Sequence, residues 1–549
     1  MDNFFIQGLQ VYLGIGFFLI LPGLLLRLGL ARWSRAACDV ELSFFALLVE
    51  SFLLSILING VLSIAASMLD LGLSVVKYAI VFLELSLLGI ISADKARLSR
   101  IVKLNGSNPL DFVTGTIMVA FFVMMLFQGG ILDMLADGWW HMAYVAQMLS
   151  ENSLFIERHP LVGTDSAAVI YPPLWHLQLA LIAELTGLQI PILWHFLAAF
   201  GGTLLLCALY RMTCVITGNR GIALIAVVAH IFLIGGLNSY ARVGSWPGNI
   251  SYIALYYSFT LTFLLSNQVS NTKTTRVKAA IKNRDLMTTI ILLACSILAM
   301  MGLHGVGVAL YLLGIFAYFV SLGILGSRIN PVAIGLVDRR VCGTILVIGA
   351  VLGTFLALTV FKSRYLFLMS SPPAYDPYLS LLIPTILLAY LAGYRVITTA
   401  LSGCIGKMWA RSGYFLILVL AMIFCIDFAH VKELFIPNPD PIGRHVPRDF
   451  QGVFGNWLFL PFWEHQLRGG MLISGVLTLA LGLILPIFWR DRASVFLFGL
   501  CGLVFLVLFS PYFFTLAAFV IPLASTYRIS LLLFSPVIFA IVCYRLAWR

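Results

Sequence analysis

Residues 131–176 read ILDMLADGWWHMAYVAQMLSENSLFIERHPLVGTDSAAVIYPPLWH and form the longest polar interruption in the first half of an otherwise apolar chain. The stretch opens with two acidic residues, Asp133 and Asp137, directly after an apolar run. In a helix, Asp137, His141 and Tyr144 fall at positions i, i+4 and i+7 and therefore share one face. A carboxylate that follows a membrane helix and is backed by an imidazole predicts chemistry at the membrane surface.

The composition settles the broad class of the protein. Of its 549 residues, 61% are hydrophobic and only 10% are charged, whereas a soluble domain has roughly a quarter of its residues charged. Apolar runs long enough to cross a hydrocarbon core recur from end to end, and we count about 15–16 of them. The sequence therefore predicts an all-α, polytopic membrane protein. Short alternating strands of the kind found in a transmembrane barrel are not visible.

The net charge of +11 reflects membrane topology. Basic residues cluster in short loops between apolar runs, as at 93–110 and 267–285, which is the pattern of cytoplasmic loops. This distribution argues against a nucleic-acid surface. It predicts an N-terminus outside the membrane and a C-terminus in the cytoplasm. The nine cysteines include no CxxC pair, so neither a disulfide framework nor a thiolate metal site is expected.

The order of the apolar runs predicts three regions. Three spans and a basic cytoplasmic loop come first, and the fourth span then leads outward, which places the opening stretch outside the membrane as a loop with surface helices. The regions are residues 1–110 with the additional N-terminal spans, residues 111–325 with a catalytic module and the outer loop 132–172, and residues 326–549 with C-terminal spans and the outer loops 362–379 and 431–470.

The run 172–187 does not fit a simple alternation of spans. Four crossings between the outer loop 132–172 and the basic loop 267–285 would leave that basic loop outside, against the charge rule. The run is short, opens with Pro172-Pro173 and contains the polar residues His176, Gln178 and Glu184. We therefore expect it to be a re-entrant or surface helix, with a span as the alternative.

Most of the suggestive polar residues fall on the predicted outer side. Arg, Lys and His beside acidic residues at the edge of a bilayer suit a phosphate group next to a catalytic carboxylate. The alternative is that long outer loops simply contain paired polar residues, and for 431–470 both interpretations stay open. The candidates for phosphate binding are Arg242, His304, Lys362, Arg364 and Arg528, and those for contacts with an acceptor or with the outer loops are Tyr171, Trp175, Arg444, His445 and Arg448.

Asp137 is the sharpest single candidate. An aspartate at this position could merely cap the helix that follows it. The functional hypothesis is a general base that removes a proton from an acceptor hydroxyl, with His141 orienting the carboxylate or contacting phosphate. Asp133 and Asp165 are candidates for a second acid or an orienting group.

The segments DGWWHMAYVAQMLSENSLF and YPPLWHLQLAL resemble the start of GT-C glycosyltransferases, including the aminoarabinose, mannosyl and arabinosyl transferase group. The resemblance covers residues 110–250. It implies an inverting enzyme whose catalytic carboxylate lies in the first outer loop of the catalytic module, here Asp137, and whose donor is a polyprenyl-phosphate sugar. The sequence departs from the family pattern in several ways. Additional spans precede the module, Gly138 follows Asp137 where an acidic or other polar residue is usual, and no lysine precedes Pro172.

The resemblance implies transfer of a sugar, such as arabinofuranose or another pentose or hexose, to a periplasmic glycan, lipid or protein acceptor at a bacterial inner membrane. The implied partners are membrane lipids, the lipid-linked donor and the acceptor, without nucleic acid. No cofactor and no bound divalent metal is predicted. Two rival hypotheses are an O-antigen polymerase or ligase, which would depend on Arg444 and His445, and a secondary transporter or lipid flippase, which would place charges at mid-membrane.

Overall fold

The computed structural model describes twelve stretches of the chain, and every regular element in them is helical, so the expected all-α fold is confirmed. These stretches are residues 2–34, 44–92, 108–128, 138–154, 173–231, 246–271, 284–325, 337–349, 471–489, 491–509, 528–529 and 531–547. Six of the described helices are long and apolar enough to cross a membrane: Phe4–Leu30, Phe44–Met68, Pro109–Phe127, Ile190–Thr217, Arg284–Leu303 and Val306–Gly323. The protein is therefore a multi-pass membrane protein.

Two compact units make up the chain, with their boundary between Val308 and Ala309. The predicted regions, divided at residues 110 and 325, were drawn by proposed role and stay predictions. The first unit contains α1 (Asp2–Ile15), α2 (Leu21–Ser34), α3 (Phe44–Met68), α4 (Leu73–Ser92), α5 (Pro109–Gln128), α6 (Gly138–Glu151), α7 (Leu174–Thr186), α8 (Ile190–Thr217), α9 (Arg220–Ala229), α10 (Pro247–Asn271) and α11 (Arg284–Leu303). Helix α12 (Val306–Leu325) begins at the boundary.

The second unit continues with a helix at residues 337–349 (α13) and then α14 (Met471–Phe488), α15 (Arg492–Phe509) and α16 (Ser535–Ala547). A buried carboxylate ties three of its helices together. Asp338 of α13 accepts a hydrogen bond from the Tyr318 hydroxyl of α12 at 2.6 Å and from Nε of Arg492 of α15 at 2.7 Å. A second guanidinium nitrogen of Arg492 contacts the other carboxylate oxygen. Such a two-pronged geometry is the strongest form of a carboxylate–arginine pair.

A proline interrupts the first span of unit 1. Helices α1 and α2 are joined by a π-helical turn, Gly16–Ile20, shortly before Pro22. Because proline has no N–H, it cannot donate to the carbonyl oxygen of the residue four positions earlier, which is Phe18. Instead, Nδ2 of Asn59 in α3 donates to this oxygen at 2.9 Å. A neighbouring helix therefore supplies the hydrogen bond that the proline removes.

Ser55, one helical turn before Asn59, contacts the same break. Its Oγ accepts a hydrogen bond from the backbone N–H of Gly23 at 2.8 Å. Residues four apart on a helix share a face. One face of α3 therefore forms hydrogen bonds with both a carbonyl group and an N–H group of the interrupted span.

The other buried polar group between α2 and α3 is an ion pair. Nε of Arg27 contacts one carboxylate oxygen of Glu50, and the hydroxyl of Tyr257 in α10 donates to the other. Arg27 and Glu50 are both buried. The pairing of Arg27 could not be predicted from the sequence, because its partner lies on another helix.

We expect Glu50→Leu to lower the free energy of unfolding by about 3–5 kcal/mol, because it leaves Arg27 buried without its counter-charge. Unfolding by denaturant in detergent micelles measures this loss. The double variant Arg27→Met with Glu50→Leu serves as the control and should recover most of it, since apolar residues can replace a buried ion pair. A single variant as stable as wild type would contradict a structural role for the pair.

Helix α7 corresponds to the run 172–187. Its thirteen residues span about 20 Å, less than the hydrocarbon thickness of about 30 Å, and it is not one of the six helices able to cross. Ten consecutive residues, Leu174–Ala183, are buried, so the helix is enclosed on all sides. This favours a helix embedded in the bundle over a span, and over a helix on the surface.

Candidate functional site

The candidate site lies where the first turns of α6 and α7 meet. Helix α6 begins at Gly138, the residue after Asp137, and its buried face includes His141, Tyr144 and Met148. Trp139 on the opposite face is exposed. This amphipathic pattern is what the sequence predicted for the helix, and it turns His141 toward the bundle.

His141 meets a second histidine, His176, in the first turn of α7. Nδ1 of His141 lies 2.9 Å from Nε2 of His176, and both side chains are buried. A hydrogen bond between two ring nitrogens needs one N–H and one lone pair. At most one proton therefore occupies this contact, so the pair carries no more than one positive charge while the bond persists.

Aromatic rings hold the histidine pair on two sides. The indole of Trp194 in α8 is nearly parallel to the ring of His141, with centroids 6.0 Å apart and an angle of 16° between the planes. Tyr144 packs against His176 at 5.3 Å. Trp194 and Tyr144 are both fully buried. The orientation of both imidazoles is thereby fixed by packing as well as by their hydrogen bond.

The first turn of α7 packs closely against glycines of two other helices. Pro173 is the N-cap of α7, and Leu174 follows it. A Cβ atom on Gly60 of α3 would lie 2.9 Å from Leu174 Cδ1, and one on Gly302 of α11 would lie 2.5 Å from Leu174 Cδ2. The missing side chains make room for Leu174. Pro173 has helical backbone angles, φ −79° and ψ −8°, and therefore starts a closely packed helix directly.

The structure describes four of the residues proposed from the sequence. His141 is in the histidine pair. His304 occupies the tight turn between α11 and α12, as expected, and its carbonyl accepts the N–H of Gly307 at 3.0 Å. Trp175 is fully buried and packs edge-on against Phe52 at 6.4 Å, which gives it a packing role in the core. Arg528 belongs to a short 3-10 turn of the second unit.

The remaining candidates lie outside the described residues, and their roles stay predictions. They are Asp133, Asp137, Asp165, Tyr171, Arg242, Lys362, Arg364, Arg444, His445 and Arg448. Among the described residues, no group of three or more His, Cys, Asp or Glu side chains is arranged to hold a metal ion.

His176 is the residue that the sequence interpretation did not single out. It was noted only as a polar residue in a short apolar run. The available signal was its position, since a histidine inside an otherwise apolar helix is a functional candidate in a membrane protein. The pairing itself could not be predicted, because nothing in the spacing of two histidines in separate helices indicates their contact.

The arrangement has a limited set of chemical uses. A rigid imidazole pair can orient a neighbouring group by hydrogen bonding, or hold one proton beside a developing negative charge. Its first member lies in the first turn of the helix that begins one residue after Asp137. The pair is therefore close in sequence to the carboxylate that the sequence proposes as a base.

Comparison with known proteins supports the fold class. No protein-family model and no curated protein sequence matches the chain. The fold is similar to that of the archaeal oligosaccharyltransferase AglB from Archaeoglobus fulgidus in complex with an inhibitory peptide and a dolichol-phosphate, with a TM-score of 0.50 and 14% identity over 80% of this chain and 51% of AglB. The apo crystal structure of the Archaeoglobus fulgidus oligosaccharyltransferase gives a TM-score of 0.47 and 13% identity over 79% and 51%.

The present chain thus spans about half the length of these structures. At this identity the likeness concerns the fold. The fold of this chain is thus similar to that of an archaeal oligosaccharyltransferase, which agrees with the GT-C-like fold expected from the sequence.

Proposed function

We propose that this protein is an inverting glycosyltransferase that moves a sugar from a polyprenyl-phosphate donor to an acceptor on the periplasmic side of a bacterial inner membrane. The observation that carries the proposal is the fold shared with AglB, whose structure contains a dolichol-phosphate and a peptide. The donor of this chain would likewise be a lipid phosphate, and its acceptor a separate molecule. The sugar and the acceptor are left to experiment.

In the proposed reaction, Asp137 takes the proton of the acceptor hydroxyl as the oxygen attacks the anomeric carbon. The bond between that carbon and the phosphate oxygen breaks on the opposite face, and the configuration inverts. Polyprenyl phosphate leaves with the electron pair. Because phosphate is already a good leaving group, the site needs positive charge and hydrogen-bond donors more than a general acid.

The histidine pair would serve this step by orientation. His141 follows Asp137 by four residues, and its ring is held by His176, Trp194 and Tyr144 through a hydrogen bond and ring contacts. A group fixed in this way can direct a carboxylate or a phosphate oxygen without reorganising during the reaction. Candidates for binding the donor phosphate remain Arg242, His304, Lys362, Arg364 and Arg528.

The direct test of the proposal is a reaction with purified protein. The full-length chain in lipid nanodiscs is mixed with a panel of polyprenyl-phosphate pentoses and hexoses and with candidate glycan, lipid and peptide acceptors. Mass spectrometry should detect free polyprenyl phosphate together with an acceptor heavier by one sugar. Intact donors across the whole panel, with folded protein present, would refute the proposal for these substrates.

The role of the histidine pair gives a second test. His176→Ala removes the partner of His141, so we expect kcat to fall about 10- to 100-fold while KM for the donor changes little, since misplacement of a positioned group slows the chemical step. His176→Gln, which can still form one hydrogen bond to His141 Nδ1, should retain more activity than His176→Ala.

His195→Ala is the matched control for this test. His195 lies next to Trp194 in α8, and its Nε2 makes a hydrogen bond of 2.8 Å with the carbonyl of Leu126. His195→Ala thus removes a comparable interhelical contact, which lies outside the histidine pair. Equal kcat values for His176→Ala and His195→Ala would argue against a special role for His176.

A further inference from the structure

Helix α7 presents two polar side chains to opposite sides. Successive residues of an α-helix are about 100° apart around the axis, so His176 and Gln178 point about 200° apart. His176 contacts His141 of α6, whereas Gln178 contacts Asn59 of α3. Helix α7 therefore forms interhelical hydrogen bonds on two opposite sides.

Asn59 joins three elements through one amide group. Its Nδ2 lies 2.6 Å from Oε1 of Gln178 and 2.9 Å from the carbonyl oxygen of Phe18 in the π-helical turn. An amide nitrogen has two hydrogens, so each of these acceptors can receive one. Asn59 and Gln178 are both fully buried. The contact is thus shielded from water and connects α3, α7 and the first span.

This contact requires an N–H donor at position 59, which the asparagine amide supplies. The carbonyl of Phe18 needs an external donor because Pro22, four residues later, has no N–H. An aspartate at position 59 would offer no donor, and a leucine would offer no polar group at all. The proline in the first span therefore creates the acceptor that holds Asn59 in place, and Asn59 in turn reaches Gln178.

The hydrogen bonds of α7 restrict its rotation about its axis, which apolar packing does only weakly. The buried part of α7 reads LWHLQLALIA, and His176 and Gln178 are its polar residues. Apolar burial is non-directional, so it resists removal of the helix more than a small rotation about its axis. Hydrogen bonds depend steeply on angle and distance. The Asn59–Gln178 contact is therefore a buried directional constraint on the side of α7 opposite the histidine pair. A further polar contact of α7 is the ion pair of Glu184 with Lys77 of α4 at 2.9 Å, where both side chains are partly exposed.

We propose that Asn59, Gln178 and the carbonyl of Phe18 form a positioning latch that fixes the rotation of α7 and thereby holds His176 against His141. This inference rests on the proposed function, in which the histidine pair serves the transfer reaction. Asn59 and Gln178 are positioning residues, because they act through α7.

Asn59→Leu tests the latch. Loss of the interhelical hydrogen bonds is expected to raise the labelling rate of His176 by diethyl pyrocarbonate about tenfold, measured by mass spectrometry on the full-length chain in nanodiscs. In the same variant kcat should fall about tenfold while KM for the lipid donor stays near the wild-type value. A purely structural defect would instead lower the yield of folded protein and leave the properties of the folded fraction unchanged.

Ser55→Ala is the matched control. Ser55 lies one turn from Asn59 on the same face of α3, and its Oγ also repairs the break at Pro22, through Gly23. The hydrogen bond that Ser55 accepts comes from α2 and not from α7. Both variants therefore weaken the junction with the first span, and only Asn59→Leu removes the contact with α7. We expect Ser55→Ala to leave both the His176 labelling rate and kcat unchanged.

A double-variant comparison tests whether the two amides act together. Gln178→Met removes the acceptor at similar volume, and it also removes an Nε2 group that has no hydrogen-bond partner among the described residues, so the fold should tolerate it. If the latch acts as one unit, the double variant Asn59→Leu with Gln178→Met should change the His176 labelling rate and kcat no more than the single variant with the larger effect does. The exchanged pair Asn59→Gln with Gln178→Asn, which keeps an amide on each helix, should recover part of the loss.

The readouts separate failure of the latch from failure of the proposed function. Unchanged labelling of His176 in folded Asn59→Leu overturns the latch, whatever the enzymatic activity. Additive effects of the two substitutions in the double variant would also overturn the latch. Increased labelling in Asn59→Leu, combined with no transfer by the wild-type protein from any polyprenyl-phosphate sugar, supports the latch and refutes the proposed reaction.

Discussion

Asp137→Asn is expected to lower kcat for sugar transfer by about 10²- to 10⁴-fold, the range typical for loss of a general base. Asparagine has nearly the same shape as aspartate and cannot accept the proton of the acceptor hydroxyl. Binding of the lipid donor should persist, because the phosphate is held by cationic groups in the proposed site. The measurement is the initial rate of product formation at saturating donor, with equal amounts of monodisperse protein.

Asp133→Asn is the control, since it removes an equal charge from the same stretch of sequence. We expect it to retain most of the activity. If Asp137→Asn transfers sugar at the wild-type rate, the base assignment is wrong, and loss of activity in Asp133→Asn alone would move the base to Asp133. Loss of activity only in Arg444→Ala and His445→Ala would favour the polymerase or ligase hypothesis.

Gly23→Ala is expected to cost at least about 3 kcal/mol in the free energy of unfolding, at the upper end of the effects of overpacking. Helices α2 and α3 approach each other closely at Gly23. A Cβ atom there would overlap the carbonyl oxygen of Ser51 and lie 2.6 Å from the backbone nitrogen of Ser55. Both atoms belong to the backbone of α3, so no side-chain rotation relieves the overlap. The helices must separate, and the hydrogen bond between Gly23 and Ser55 is lost.

Gly29→Ala provides a control in the same helix. Gly29 is exposed, and a Cβ atom on it would meet nothing within 4 Å. Alanine favours helix by up to about 1 kcal/mol over glycine, so Gly29→Ala should be neutral or slightly stabilising. Thermal unfolding of both variants in detergent, followed by circular dichroism, gives the comparison. Equal midpoints for the two variants would show that α2 and α3 do not pack as described.

Several spans could be predicted from the sequence because hydrophobicity and helix length are local properties. Apolar runs of the sequence near 42–68 and 306–325 correspond closely to α3 and α12, which are long enough to cross a membrane, and the run near 71–92 corresponds to α4. The apolar run near 5–30 corresponds to the span Phe4–Leu30, which contains a π-helical turn before Pro22. A proline inside an apolar run signals an interruption, but the repair depends on Ser55 and Asn59, which belong to another helix.

The candidate site was predictable in part for the same reason. Helical spacing put His141 and Tyr144 on one face of α6, and the structure buries both side chains. The resemblance to GT-C enzymes selected Asp137, whose role stays a prediction. His176 and Asn59 were missed because their functions depend on contacts between helices that are far apart in the sequence. Such contacts cannot be inferred from the spacing of residues within one sequence.

The break at Pro22 also has a consequence for how the protein enters the membrane. When the first span leaves the ribosome, the carbonyl of Phe18 has no donor in its own helix, and the hydrogen bonds from Asn59 and to Ser55 await the synthesis of α3. An unsatisfied backbone group is costly in hydrocarbon. The first span is therefore not a self-sufficient unit of insertion. Its completion is coupled to the arrival of α3, so the two helices should partition from the translocon into lipid as a pair.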